Sequence, residues 1–463
     1  MKTSKRSNIN NVPENVPENK DKKVCLVTVD MGYGHQRAAF PLRFLDRKGE
    51  MLLANNYSGM AEKDLLIWNQ GRRPYEFISR AKHLPVVGDV LFWGMDQLQK
   101  IKDFYPRHES SRPSWQLLAS MAVIKKKQWG KDLIDKLDKE NLPLLTTFFS
   151  VAYMAEEFNY RNDIYLVVCD ADVSRAWAAE HPERSKIKYL VPTKRVYERL
   201  QLYGVAAKNI YYTGFPLPQE NTGGEHLDIL RYELAARLRN LDPQNFYLSK
   251  YKKTVQEQLG DYPVPDKPTH PLTITFAVGG AGAQREMGVA LVKSMRHNLG
   301  RGEMRINLIA GIHNDVRDYF IKEIDKLKLS DCLNKSIFIL HEAKRENYFK
   351  EFNVLLRTTD ILWTKPSELS FYVALGIPII ITEPLGSQEV FNRKWLIGIG
   401  AALDQENIRY ANEWLPDWLN SGWLAEAAMA GFFEAPKYGT YNIQKVINGE
   451  LKEVRKPDTI FQY

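Results

Sequence analysis

Residues 360–392 read DILWTKPSELSFYVALGIPIIITEPLGSQEVFN, and the reading of this stretch decides the fold. Ile361-Leu362-Trp363 is a short, apolar, β-prone run. Pro366 suits the first position of a helix, where its missing N–H would be unpaired anyway, and Ser367 and Glu368 follow in the first turn. Gly376 ends the helix, residues 378–381 form a buried parallel strand, and residues 384–388 form a loop at its carboxyl end. Unpaired N–H groups and the positive end of a helix dipole then meet at residues 364–368, which is an anion site. In an open α/β sheet that edge is where ligands bind. Such units also serve as plain scaffold, so the rest of the chain has to support a ligand.

With 463 residues and 44% apolar content the chain can bury a large core, and its length favours two domains over one. A net charge of +8 is compatible with nucleotide phosphates, acidic lipid or nucleic acid and selects none of them. Lys and Arg are scattered apart from Lys125-Lys126-Lys127, and no zinc spacing or helix-turn-helix pattern occurs, so no nucleic-acid partner is expected. Cys25, Cys169 and Cys332 are odd in number and far apart, and read as reduced thiols of a cytoplasmic protein. The N-terminus has no apolar segment of a secretory signal, and no apolar run approaches the roughly 20 residues that span a bilayer.

Residues 1–22, with a tandem Val-Pro-Glu-Asn repeat, read as a disordered tail. A first α/β domain spans 23–218. Its first strand, 24–29, breaks at Asp30-Met31-Gly32-Tyr33-Gly34-His35, and a helix over 36–45 follows. Gly32 and Gly34 let the backbone approach a ligand closely. No acidic residue completes a dinucleotide fingerprint, which excludes a nicotinamide enzyme. His35, at the helix start and the ligand edge of the sheet, is either a general base or a capping, hydrogen-bonded histidine. Residues 57–140 combine aromatic and basic side chains and read either as a face for an anionic membrane or lipid acceptor, or as core with a solvated rim. Asp170 and Asp172, just past a strand at 164–169, are placed to orient a substrate hydroxyl or a catalytic histidine, or to cap the next helix. A charged helical connector occupies 219–270. A second α/β domain, 271–406, opens with a strand at 272–278, a turn at 279–284 and a helix at 285–296, and C-terminal helices fill 407–463 with Trp414, Trp418 and Trp423 as apolar anchors. Two halves that each begin with strand, glycine turn and helix place the two turns across a cleft.

These segments resemble the GT-B glycosyltransferases, in particular the branch containing the monogalactosyldiacylglycerol synthases and the peptidoglycan N-acetylglucosaminyltransferase that acts on a lipid-linked muramoyl pentapeptide. DMGYGHQRAA (30–39) is similar to that branch's glycine-glycine-histidine turn, and Asp170 with Trp177 to its aspartate-to-tryptophan segment. VPTKRVYERLQLYGVAAKNIYYTGFPL (191–217) resembles the end of its first domain, FAVGGAGAQ (276–284) the turn opening its second, and ALGIPIIITEPLGSQEVFN (374–392) its donor-site unit. The order and spacing of the motifs, over 24–217 and 272–403, make the resemblance specific. It implies two Rossmann-like domains facing across a cleft, and an inverting, metal-independent sugar transfer from a nucleotide diphosphate sugar, with no further cofactor. The acceptor hydroxyl would be lipid or lipid-linked and the protein cytoplasmic or peripheral at a membrane. By position, His35 would deprotonate the acceptor, with Asp170 beside it. Gly32 and Gly34 would lie against the substrates; Gly280, Ala281, Gly282 and Gln284, with Lys365, Ser367 and Glu368, would cradle the diphosphate; Gln388, Glu389 and Asn392 would hold the donor sugar. Backbone N–H groups can stabilise a departing diphosphate without a metal.

The chain departs from the family in two respects within one helix: its glycine- or alanine-rich start has become Lys365-Pro366-Ser367-Glu368, and its ribose position has changed. Where the family has a glutamate for the ribose hydroxyls this chain has Phe371, and the acid stands at Glu368. Those departures keep two alternatives open: a non-catalytic GT-B-like protein that binds a nucleotide or sugar, and a nucleotide-sugar 2-epimerase of the same fold.

Overall fold

In the computed structural model, which describes residues 22–70, 101–277, 284–384 and 386–451, the apolar runs assemble into two six-stranded sheets. The first holds β1 (Cys25–Thr28), β2 (Leu52–Leu53), β3 (Leu144–Thr146), β4 (Ile164–Val167), β5 (Ile187–Val191) and β6 (Ile210–Tyr212), in the order β2-β1-β3-β4-β5-β6. The second holds β7 (Leu272–Ala277), β8 (Met304–Gly311), β9 (Ile337–His341), β10 (Ile361–Thr364), β11 (Ile379–Ile381) and β12 (Ala402–Asp404), in the order β12-β11-β10-β7-β8-β9. Every pairing is parallel. Strands β1, β3, β4, β10 and β11 are buried along their whole length, as a parallel sheet covered on both faces requires. The α/β class and the two Rossmann-like halves expected from the sequence are therefore the architecture of the chain.

Each sheet reverses its strand order once, between β1 and β3 in the first half and between β7 and β10 in the second. The helices that matter for the site are α1 (Gly34–Ala39), α2 (Lys194–Leu202), α3 (Asp228–Leu241), α4 (Arg285–Ser294), α5 (Arg345–Leu356), α6 (Ser387–Gly398) and α7 (Gly439–Asn448). The helix expected at 36–45 is split: α1 gives way at Phe40 to a 3-10 turn running to Leu45, where Pro41 has no N–H for an α-helical bond. Within the connector, α3 buries Leu230, Leu234, Leu238 and Leu241 in the second half's core. Gly376 ends its helix as expected, at φ +66°, and a Cβ there would stand 2.6 Å from Leu234.

Helix α7 crosses back to the first half, where Ile443, Val446 and Ile447 pack with Val24, Leu26 and Leu42. Trp418 is buried and meets Trp414 at a tilt of 49° with ring centres 4.5 Å apart, whereas Trp423 is exposed rather than the apolar anchor expected. One apolar cluster runs unbroken from Tyr33, Phe40, Ala171 and Phe215 of the first half into the second sheet, so the halves are closed on each other. Among the described residues no helix is long and apolar enough to cross a membrane. Of the aromatic and basic stretch, residues 71–100 lie outside the described residues, as does nearly all of the tail. The three thiols are free, with Cys25 and Cys169 buried and Cys332 half-buried.

Candidate functional site

The carboxyl ends of β1 and β3 make the first half's crevice. Thr28 Oγ1 and Thr147 Oγ1 share a hydrogen bond of 2.8 Å across it. One turn on, the backbone passes through Gly32 at φ +83°, with open space where a Cβ would be, and enters α1. His35 is thereby set over Thr147, and its Nδ1 lies 2.7 Å from the Thr147 carbonyl oxygen. A carbonyl only accepts, so Nδ1 carries the hydrogen and Nε2 keeps the lone pair. Phe148 meets the ring edge-on at 5.0 Å and Trp177 stacks at 6.3 Å. Burial draws the histidine pKa from 6.5 to about 4, against the Thr147 bond and the charge of Glu368, so the ring is neutral at pH 7.

In the second half the crevice lies between β7 and β10, tied by Thr364 Oγ1 donating to the Ala277 carbonyl at 3.1 Å. Gln284 precedes α4 at φ +70° and accepts from Thr382 Oγ1 at 3.0 Å. Gly280, Ala281 and Gly282 lie outside the described residues. The helix expected to begin at Pro366 begins instead at Glu368, and residues Glu368–Leu375 wind as a 3-10 helix. Ser367 stands outside the helix at φ −115° and ψ −149°, the Pro366 carbonyl accepts from Asn392 Nδ2 at 3.1 Å, and the Ser370 N–H donates to the Ser367 carbonyl. The anion site read at 364–368 as an α-helix start is therefore not formed as such.

Glu368 instead turns to the first half. Its Oε1 accepts from Arg37 Nε at 3.2 Å, and its Oε2 lies 3.3 Å from where a Cβ on Gly34 would stand. Arg37 is buried, donates to Tyr348 Oη at 2.9 Å and lies 4.3 Å over the Phe352 ring, while its Nη1 has no partner among the described residues. Asn392 forms the second joint. Its Oδ1 accepts from the Ala171 N–H at 2.7 Å, and its Nδ2 donates to Asp170 at 3.2 Å as well as to Pro366. Both amide hydrogens are thus engaged, and in this closed form Asn392 joins the halves rather than presenting its amide to a sugar. Lys365 Nζ pairs with Glu389 at 2.5 Å. Arg345 pairs with Asp30 at 2.5 Å, and the Ile312 N–H donates to Tyr33 Oη at 3.2 Å. Asp170 is pushed up to about 6, first by burial, with Glu368 and Glu389 adding to the rise and Asn392 and Lys365 opposing it.

The structure thus gathers His35, Asp170, Lys365, Glu368, Glu389 and Asn392 along one seam, with Gly34 against Glu368. Gln388 follows Ser387 in the first turn of α6, and Ser387 Oγ accepts from the Ile101 N–H at 3.2 Å. Ser367 is the turn before the 3-10 helix. Phe371 is buried and stacks on Phe215 at 4.6 Å and 11°, so the family's ribose position is filled by core. Arg37, Tyr33 and Arg345 were not legible as site residues; an arginine inside the GHQRAA helix was the available signal.

No protein-family model and no curated protein matches the chain. Among solved structures it is similar to MurG of Acinetobacter baumannii, with a TM-score of 0.45 and 11% identity over 92% of this chain and 99% of that one. It is similar to S. aureus MnaA solved with UDP, at 0.45 and 10%, over 93% and 96% of the two chains. It is similar to the Methanocaldococcus jannaschii UDP-GlcNAc 2-epimerase, at 0.39 and 12%, over 93% and 100%. At such identities no residue role passes from them to this chain.

Proposed function

We propose that the protein is a glycosyltransferase that moves a sugar from a nucleotide diphosphate sugar to a hydroxyl acceptor, lipid or lipid-linked, at the cytoplasmic periphery of a membrane. The observation that carries this reading is His35: the Thr147 carbonyl fixes its tautomer, and no described residue bonds to Nε2. In the reaction the acceptor O–H gives its proton to Nε2 while its oxygen bonds to the anomeric carbon. The bond from that carbon to the diphosphate oxygen breaks on the opposite face, and its electron pair leaves with the nucleoside diphosphate. Glu368, whose charge already favours a protonated His35, stabilises the imidazolium that forms. Lys365 is the cation suited to the leaving diphosphate, and Gln284 and Gln388 are the polar groups suited to the donor.

A second reading, a protein that binds a nucleotide or sugar without transferring it, is supported by the engaged amide of Asn392 and by Phe371 in the core. A thermal-shift panel of nucleoside diphosphates and their sugars tests both, since stabilisation by none of them removes both. Donor turnover lost in His35→Ala with nucleotide binding retained supports transfer. Nucleotide binding with no turnover in the wild type supports the second reading.

A further inference from the structure

A cavity of about 400 Å³ lies beside the Ala171–Asn392 joint, lined by Asp103, Phe104 and Tyr105, by Ala171 and Asp172, by Arg195 of α2, and by Phe391, Lys394 and Trp395 of α6. Its volume suits a small organic ligand. Both halves supply its wall, so the cavity belongs to the closed arrangement.

Its charges are uneven. Asp172 is consumed by Arg199, which donates to it twice, at 2.9 and 2.7 Å. The Arg195 guanidinium lies 3.9 Å from the Phe104 ring centre and the Lys394 ammonium 4.6 Å from that of Phe391, and neither has an acidic partner among the described residues. Asp103, at the exposed edge, is the one lining carboxylate not held in an ion pair among the described residues. Each of the two cations rests on an aromatic face, which leaves its remaining N–H donors for something else. Phe104 is buried, and Phe391 and Trp395 are half-buried, so apolar surface continues inward from the cations.

We propose that this cavity binds an amphiphilic phosphate: a phosphate group bridging Arg195 and Lys394, attached to an apolar chain or ring that lies against Phe391 and Trp395. Two cations from opposite halves suit a dianion with several acceptor oxygens better than a single carboxylate. Because α2 belongs to one half and α6 to the other, the bound ligand ties the halves together next to Asn392. The site does not depend on sugar transfer and does not use His35.

The test is calorimetric titration of the full chain with decyl phosphate below its micellar concentration, with inorganic phosphate, and with decanol. Decyl phosphate is expected to bind at one site, about tenfold or more tighter than inorganic phosphate, and decanol without measurable heat. The double variant Arg195→Glu/Lys394→Glu should weaken decyl phosphate about a hundredfold. Arg195→Gln/Lys394→Gln, which adds no new charge, should weaken it about tenfold and serves if the reversal variant fails to fold. Vesicles of phosphatidylcholine with and without phosphatidic acid separate the sources. Binding to the acidic vesicles that the Gln variant loses assigns the phosphate to a lipid, and binding of soluble decyl phosphate alone assigns it to a free amphiphile. Equal affinity in wild type and Gln variant, equal affinity for inorganic and decyl phosphate, or no binding of decyl phosphate overturns the proposal.

Discussion

Across the pH range from 7 to 5, His35 and Asp170 push the stability of this protein in opposite directions. His35 is held at about 4, below its ordinary 6.5, by burial. The unfolded chain takes up a proton there that the folded chain refuses, so this group's contribution is complete above pH 6.5 and is lost as pH falls towards 4. Asp170 is pushed from 3.8 to about 6, and there the folded chain keeps a proton that the unfolded chain has released, so stability falls as pH rises from 3.8 to about 6. One pH unit across such a window is worth about 1.4 kcal/mol. Going from pH 7 to pH 5 therefore costs about 2 kcal/mol through His35 and restores about 1 kcal/mol through Asp170. Urea denaturation of wild type, His35→Ala and Asp170→Asn at both pH values separates the two. Relative to wild type, His35→Ala should gain about 2 kcal/mol on acidification and Asp170→Asn should lose about 1 kcal/mol. Asn keeps an oxygen for the Asn392 amide, so the second change isolates the charge. Two variants that follow the wild-type pH curve, or that depart from it in the same direction, would refute the assignment of these environments.

Glu368→Ala strands Arg37 in the interior and should cost about 3 kcal/mol, while adding Arg37→Met should cost far less than the sum of the singles in a double-mutant cycle. Asn392→Ala leaves the buried Ala171 N–H unpaired and should cost about 2 kcal/mol and enlarge the scattering radius of gyration as the halves separate. Gly311→Ala would put a Cβ 2.5 Å from Tyr33 Oη at φ +65°, and should cost about 1 to 3 kcal/mol more than Gly49→Ala, which has φ +70° and open space, when both are melted side by side.

Strands with fully apolar runs, the Gly376 stop and the crevice position of His35 are legible because each is set by local pattern. The edge strands β2 and β12 are not, since two and three residues paired at a sheet edge make no run. Nor is the seam. Arg37 and Glu368 are separated by 331 residues, and Asp170 and Asn392 by 222, so neither sequence neighbourhood reports the partner. The helix start expected at Pro366 follows local preference, but in the fold Ser367 is non-helical and the Pro366 carbonyl is bonded by Asn392, 26 residues away, a partner that no local window contains.

The 3-10 winding also sets how Glu368 and Phe371 lie relative to each other. Three residues per turn place Glu368 and Phe371 on one line, whereas an α-helix would swing them about 60° apart. On that line Glu368 meets Arg37 and Phe371 stacks on Phe215, and both partners belong to the first half. The position at which the resemblance expects a ribose-binding glutamate is therefore part of the seam between the halves. Placing the expected acid there should therefore fail: Phe371→Glu would bury a carboxylate against the Phe215 and Trp395 rings, and should cost more than about 3 kcal/mol, read by urea denaturation. A Phe371→Glu protein of wild-type stability with strengthened nucleotide binding would show that the position serves the donor after all.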